Sequence, residues 1–291
     1  MRAMTTHLVT GASGQLGQLT IAHLATLVDP ASIIALVRSD EAAARFAAQG
    51  IQTRRGDYKD SASLAAAFAG VDRVLLISSS EMENRVAQHQ AAIDAAKAAG
   101  VAFLAYTSVL RAPENPMILA RDHAATEAHL RASGLPHTLL RNGWYIENYL
   151  GSAAQALASG QLFGAAGTGR IAAAARDDYA LAAAHVLRGG HDGAVLELAG
   201  DDSFTMADLA SALTDLAGKP IAFVNLPEAA LAQGLVQAGL PEPMATILAD
   251  ADARSGDGAV FDQSRILSRL IGRPTTPWRS LVAKALAPQQ A

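Results

Sequence analysis

Gly11, Gly14 and Gly17 stand three residues apart directly after a short apolar run, Leu8-Val9-Thr10, and this arrangement limits how the chain can begin to fold. The first glycine permits a tight strand-to-helix turn, the second lets backbone N–H groups approach a pyrophosphate, and the third lets the next helix pack hard against the sheet. The start of that helix adds the positive end of a dipole. Gly11, Ala12, Ser13, Gly14, Gln15, Leu16 and Gly17 are therefore the expected dinucleotide-binding turn. Glycine triplets also make ordinary turns, so the context decides. An amphipathic segment follows (Leu16, Leu19, Ile21, Leu24, Leu27), then a strand-like run, Ile33–Val37, about twenty residues on, which completes a βαβ unit.

The same punctuation continues through the first half. Ala-rich segments end at Gly50, Gly70, Gly100 and Gly134, and each is followed by an apolar run: Ile51–Arg54, Val71–Ile77, Val101–Thr107 and Leu135–Leu140. Glycine just past a helix supplies a left-handed cap, and the apolar run returns the chain to a sheet. Alternating strands and helices predict an α/β fold with a Rossmann-like, doubly wound parallel sheet over residues 1–145. After about residue 141 the rhythm changes, with a polar aromatic stretch from Arg141 to Tyr149 and glycine-rich turns at Gly164, Gly167 and Gly169. Residues 146–291 are expected to form a smaller α/β substrate-binding region, partly interleaved with the first. Within it Val195–Leu198 reads as a strand, Thr205 with Asp208 as an N-cap pair, and Leu209–Leu216 before Gly218 as a capped helix.

Composition narrows the function classes. At 291 residues and 51% hydrophobic content the chain can bury a large core. A net charge of −4 and a pI near 6.0 offer no basic field, so nucleic acid is not an expected partner. The absence of cysteine removes disulfides, thiolate nucleophiles and cysteine-held metals from any mechanism. The first residues lack a signal-peptide pattern and charge interrupts every long apolar stretch, so no membrane partner and a cytoplasmic location are expected. Whether the chain works as a homodimer is left open.

Chemistry-bearing residues follow the strands. Arg38 closes the second run, where a guanidinium suits the 2′-phosphate of NADPH; Asp40 could instead reach ribose hydroxyls, which keeps NADH as the alternative. Asp57 follows the third run and either meets an adenine edge or simply forms a turn. Ser78, Ser79 and Ser80 end the fourth run, where small residues let a dinucleotide lie close to the backbone, or where an ordinary loop begins. Thr107-Ser108 ends the fifth, and His123 and Glu127 lie four apart on a predicted helix beyond it.

The order of Gly11, Gly14 and Gly17, Arg38, Asp57, Ser78–Ser80, Tyr106-Thr107-Ser108 and Leu140-Arg141-Asn142-Gly143-Trp144-Tyr145 resembles the NmrA-like atypical short-chain dehydrogenases. Leu76-Ile77-Ser78-Ser79-Ser80, Ala105 to Ser108, Leu139 to Tyr145 and Leu270 to Thr276 are most similar to its flavin-free branch, the type 2 NADPH:quinone oxidoreductases. These phrases run through nearly the whole chain. The resemblance implies an NADPH site lined by Gly11 to Leu16, Arg38, Ser78 to Ser80, Asn142, Gly143, Trp144, Tyr145, Ile146, Glu147 and Arg176.

Ordinary short-chain dehydrogenases pair a tyrosine with a lysine four residues later, and here the corresponding helix offers His123 and Glu127. An alcohol product needs an acid at the moment of hydride transfer, whereas a quinone yields a delocalised hydroquinone anion that takes its proton afterwards. The expected catalytic residues are Tyr145, Ser108 and His123. His123 reads either as a donor to substrate oxygen or as one half of a solvent-facing pair with Glu127. Trp144 and Tyr145 read as walls for a small planar acceptor, with core packing as the plainer role for Trp144. The expected activity is direct hydride transfer from NADPH to a quinone, without flavin or metal. Reduction of cationic triarylmethane dyes, which needs no acid either, and non-catalytic redox sensing through a partner protein are the competing readings.

Overall fold

The computed structural model describes residues 4–81 and 83–286. In chain order its strands are β1 His7–Val9, β2 Ile33–Val37, β3 Gln52–Arg55, β4 Arg73–Leu76, β5 Phe103–Val109, β6 His137–Asn142, β7 Gln161–Gly164, β8 Val195–Leu198 and β9 Ala222–Asn225. The helices that bear on the site are α1 Gln15–Leu27, α2 Asp40–Ala47, α3 Ser61–Phe68, α4 Arg85–Ala98, α5 Ile118–Ser133, α6 Leu150–Ser159, α7 Arg176–Arg188 and α8 Met206–Ala217.

The large sheet runs β3-β2-β1-β4-β5-β6-β8, and the pairings from β3 through β6 are parallel. Strand order reverses at β1 and β4, the switch point where α/β sheets open a crevice beyond their strand ends. The expected doubly wound Rossmann-like fold is thus present. Its central strands are largely apolar because both faces are covered, whereas the edge strand β3 is polar: Leu8, Ile34, Leu36, Val74, Leu76, Leu104 and Leu139 pack with Leu64, Phe68, Ile93 and Leu130 from the helices.

The chain forms two compact units. The first holds residues up to Ala112, Asp122–Asn142 and Asp177–Leu196; the second holds Pro113–Arg121, Gly143–Arg176 and the chain from Glu197 onward. In the second unit β7 pairs in parallel with β9, and Tyr149, Phe204 and Trp278 form an aromatic core with ring centroids 5.7 and 4.6 Å apart. The Thr205–Asp208 capping box is closed in both directions, and Gly218 ends α8 in the left-handed region.

Four of the expected strands begin about two residues later than their apolar runs suggest. The cause is the helix cap. Ile51, Val71 and Val101 donate their N–H groups back to the Phe46, Phe68 and Ala96 carbonyls, and Leu135 donates to Ser133 Oγ, so the first apolar residue after each glycine is tied to the end of the preceding helix and only then does the sheet begin.

Candidate active site

The glycine turn is built as its spacing requires. Gly11 has φ +57°, and its carbonyl accepts from Gly14 N–H at 3.0 Å. A Cβ at Gly17 would lie 2.4 Å from the Gly11 oxygen and 2.7 Å from the Ala12 Cα, closer than a side chain can stand. Ala12 and Leu16 are buried, while Ser13, Gly14 and Gln15 are exposed, so the turn offers backbone rather than side chains. The N-cap of α1, Gly14, makes no side-chain capping bond, and the first turn carries no acid, so no side chain occupies the helix N-terminus. Gly17→Ala is expected to shift this backbone at a cost of about 1–3 kcal/mol and to weaken dinucleotide binding, read by isothermal titration. Unchanged binding and stability would refute the close approach.

Residues not singled out by sequence fix the switch point. Tyr58 donates to Thr10 Oγ1 at 2.5 Å and reaches the Ile77 carbonyl at 3.0 Å, and Ile77 N–H donates to Thr10 Oγ1 at 2.9 Å. One hydroxyl cluster therefore ties the ends of β1 and β4 to the loop after β3. Burial raises the Tyr58 phenol above its ordinary range and keeps it protonated.

Beyond β2 and β3 a pocket of about 280 Å³ is lined by Val37, Arg38, Arg55, Gly56, Asp57, Asp60 and Ser63. Arg38 is two-thirds exposed and lies 3.5 Å from Glu81, which also holds Lys59 at 2.6 Å. Two cations thus share one place at the sheet end. Asp40 is paired with Arg55 at 2.8 Å. Asp57 accepts Lys59 N–H, a turn-forming bond, while its second oxygen stands 4.0 Å from Arg38.

Ser78 N–H donates to Thr107 Oγ1, Ser79 N–H to His89 Nε2, and Ser79 Oγ accepts from Glu81 N–H, so the serine loop is anchored from β5 and α4. Ser80 is exposed. Ser108 is buried and donates to Glu127 Oε1 at 2.7 Å.

His123 and Glu127 do not face solvent, and this corrects the surface-pair reading. Glu127 is fully buried and His123 is 8% exposed. Glu127 accepts from Arg141 Nε at 2.9 Å, Arg141 NH2 at 2.6 Å and Arg131 at 2.9 Å. Burial pushes its carboxyl up, but the bonds from Arg141 and Ser108 outweigh burial and hold it below the usual range. His123 Nδ1 meets the Tyr106 hydroxyl at 2.8 Å, and burial takes the ring down to about 3, so it is neutral at pH 7.

Asn142, which ends β6, is buried, and its Oδ1 has no partner among the described residues. In the second unit Gly143 donates to the Leu198 carbonyl, Trp144 and Tyr145 are half-buried, and Ile146 is buried and donates to the Ala174 carbonyl. Arg176 stacks on the Tyr145 ring with its guanidinium carbon 4.8 Å from the centroid. Glu147 caps α7 by accepting Arg176 N–H at 2.9 and 3.1 Å, where the helix dipole favours a carboxylate.

The strand order and the glycine turn define a Rossmann-like dinucleotide-binding protein. The sequence profile described as NmrA-like family matches residues 4–276, and the chain belongs to that family. It is 51% identical over 269 residues to quinone oxidoreductase 2 of Escherichia coli, covering 92% of this chain and 94% of that one. The fold superposes with a TM-score of 0.94 and 50% identity on an NADPH-dependent quinone oxidoreductase from Escherichia coli complexed with NADPH, covering 96% of this chain and 99% of that one. It matches the Citrobacter sp. triphenylmethane reductase complexed with NADP(H) at a TM-score of 0.90 and 37% identity, over 97% and 100% of the two chains.

Proposed function

We propose that this chain is an NADPH-dependent quinone reductase. The observation that carries the reading is the helix that would hold an alcohol-forming acid. There Glu127 is clamped as a carboxylate by two arginines, and His123 is a buried neutral imidazole. Neither can hand over a proton near neutral pH, which suits an acceptor whose reduced form leaves as a stabilised anion.

The residues present fit the cofactor. Gly11 to Gly17 give a cradle that a Cβ at Gly17 would fill, Arg38 with Lys59 gives a cationic place for a 2′-phosphate, and Asn142 Oδ1 is a buried acceptor awaiting a donor such as a carboxamide. Asp57, Ser78, Ser79, Ser80, Asn142, Gly143, Ile146 and Glu147 complete the proposed cofactor set, with Glu147 acting by holding the start of α7 and thereby Arg176. Trp144 and Tyr145 are assigned the acceptor, with the Arg176 guanidinium over the Tyr145 ring. NADPH supplies a hydride when bound; the quinone becomes a hydroquinone anion and takes its proton from water. Ser108, whose hydroxyl hydrogen is engaged by Glu127, acts as a positioning residue. The first unit is assigned as the dinucleotide domain. The reading places the enzyme in the cytoplasm and is compatible with a homodimer, which light scattering decides; among the described residues no helix is long and apolar enough to cross a membrane.

Arg38→Ala is expected to raise the Kd for NADPH about tenfold, the effect of one charge-assisted hydrogen bond of roughly 1.5 kcal/mol, and to leave NADH unchanged. Equal losses for both would remove the phosphate assignment. The similarity to a triphenylmethane reductase supports dye reduction as a second reading, since hydride addition to a carbocation needs no acid either. Turnover of a quinone beside a cationic dye separates the two.

A further inference from the structure

A chain of buried polar groups in the first unit has a defined direction. It begins at the backbone, where Ser79 N–H donates to His89 Nε2 at 2.9 Å. An amide can only donate, so Nε2 of His89 is the unprotonated nitrogen. Burial, helped by the Arg85 charge, takes this ring down to about 4; it is neutral, with its proton on Nδ1. That nitrogen lies 3.0 Å from Thr126 Oγ1 and 3.4 Å from the Tyr106 hydroxyl. Thr126 directs its own hydrogen to the Asp122 carbonyl at 2.8 Å and so accepts from His89. The Tyr106 hydroxyl has Ser78, Thr126, His89 Nδ1 (already protonated, at 3.4 Å) and His123 Nδ1 (at 2.8 Å) around it, and of these the His123 nitrogen is the short contact and a better acceptor than a neutral hydroxyl. It donates to His123, and the remaining proton of that neutral ring lies on Nε2, which has no hydrogen-bond partner among the described residues.

We infer that the relay from Ser79 through His89 and Tyr106 fixes His123 as an Nε2–H donor, and that this N–H hydrogen-bonds the acceptor oxygen that gains negative charge. The second half rests on the quinone reductase reading; the first does not. The proton stays on Nε2. Hydride brings two electrons and one hydrogen to the quinone, the hydroquinone anion is held by the His123 N–H, and water supplies the second hydrogen. His89 and Tyr106 are positioning residues, and their anchor is the backbone of the serine loop assigned to the cofactor. A chain of donors all pointing one way is polarised along its length, which strengthens the terminal N–H.

The test is long-range proton–nitrogen NMR on the full-length protein labelled with nitrogen-15 histidine at pH 7, beside kinetics with NADPH and a simple benzoquinone. The expected spectrum has His123 protonated at Nε2 and His89 at Nδ1. Tyr106→Phe is expected to give His123 mixed tautomers and to lower kcat about tenfold, toward the loss seen when a hydrogen bond to a developing oxyanion is removed, with the Kd for NADPH unchanged. His89→Gln, whose amide can accept from Ser79 and donate to Thr126, is expected to keep the tautomer and most of kcat, whereas His89→Leu loses both. A wild-type His123 protonated at Nδ1, or a single Nε2–H form surviving Tyr106→Phe, overturns the relay. Mixed tautomers with unchanged kcat overturn the contact to the acceptor. The expected tautomers in a protein that reduces no quinone overturn the reductase reading and leave the relay intact.

Discussion

Glu127→Ala is expected to destabilise the protein by about 3–5 kcal/mol, the cost of removing one partner from a buried ion pair. Arg141 is nearly buried on β6 and directs both Nε and NH2 to this carboxylate, and Ser108 adds a third bond. Without Glu127 the guanidinium stays out of water with its main counter-charge gone. Arg131, which is 44% exposed on the same carboxylate, provides the contrast. Arg131→Ala is expected to cost only about 0.2–1 kcal/mol, as exposed pairs do. Against a typical total of about 5–15 kcal/mol, the first change removes a large share of stability and the second little. Urea unfolding of both variants measures the difference, and equal small losses would show that the cluster does not hold α5 to the sheet.

The protein is expected to lose stability in acid beginning near pH 6.5, chiefly through His89 and His123, the rings shifted furthest, with smaller contributions from His7 and His185. Burial takes His89 and His123 down to about 4 and about 3, below the ordinary histidine value of 6.5. As pH falls below 6.5 the unfolded chain binds protons that the folded chain refuses. The stability associated with the neutral rings is therefore complete above 6.5 and is lost downward, by about 1.4 kcal/mol per pH unit for each histidine. Glu127 acts lower: its folded value lies below 4.5, so its contribution is complete above about 4.5 and is lost as pH falls from there through the folded value. An onset near 6.5 therefore identifies the histidines. Urea midpoints between pH 7.5 and pH 5 are expected to fall steeply in the wild type and less in His89→Gln; a flat wild-type profile over that range would contradict the burial of both rings.

Local features of the sequence carried most of the fold. The glycine turn, the four glycine caps and the Thr205–Asp208 box are each decided within a few residues, and the structure places all of them as read. Strand starts were blurred because Ile51, Val71 and Val101 are apolar for a reason other than the sheet, closing the helices before them. Of the two readings of His123, the solvent-facing pair with Glu127 fails because the environment of both residues is non-local. Ser108 lies 19 residues before Glu127 and Arg141 14 residues after it, and only the parallel register of β5 and β6 brings both to α5. One signal was available: an arginine directly after Leu139-Leu140 in a buried strand requires a carboxylate, and Glu127 lies on the helix leading into that strand. Thr10, Tyr58 and His89 gave no such hint, since their roles consist of contacts across 10 to 67 residues of chain.

The most direct measurement is NADPH oxidation by the purified, flavin-free protein with a simple benzoquinone, followed by loss of the reduced nicotinamide absorbance beside NADH and a control without quinone. Quinone-dependent turnover that prefers NADPH and needs no added flavin is expected. Tight NADPH binding with no oxidation by the quinone would contradict the reductase reading.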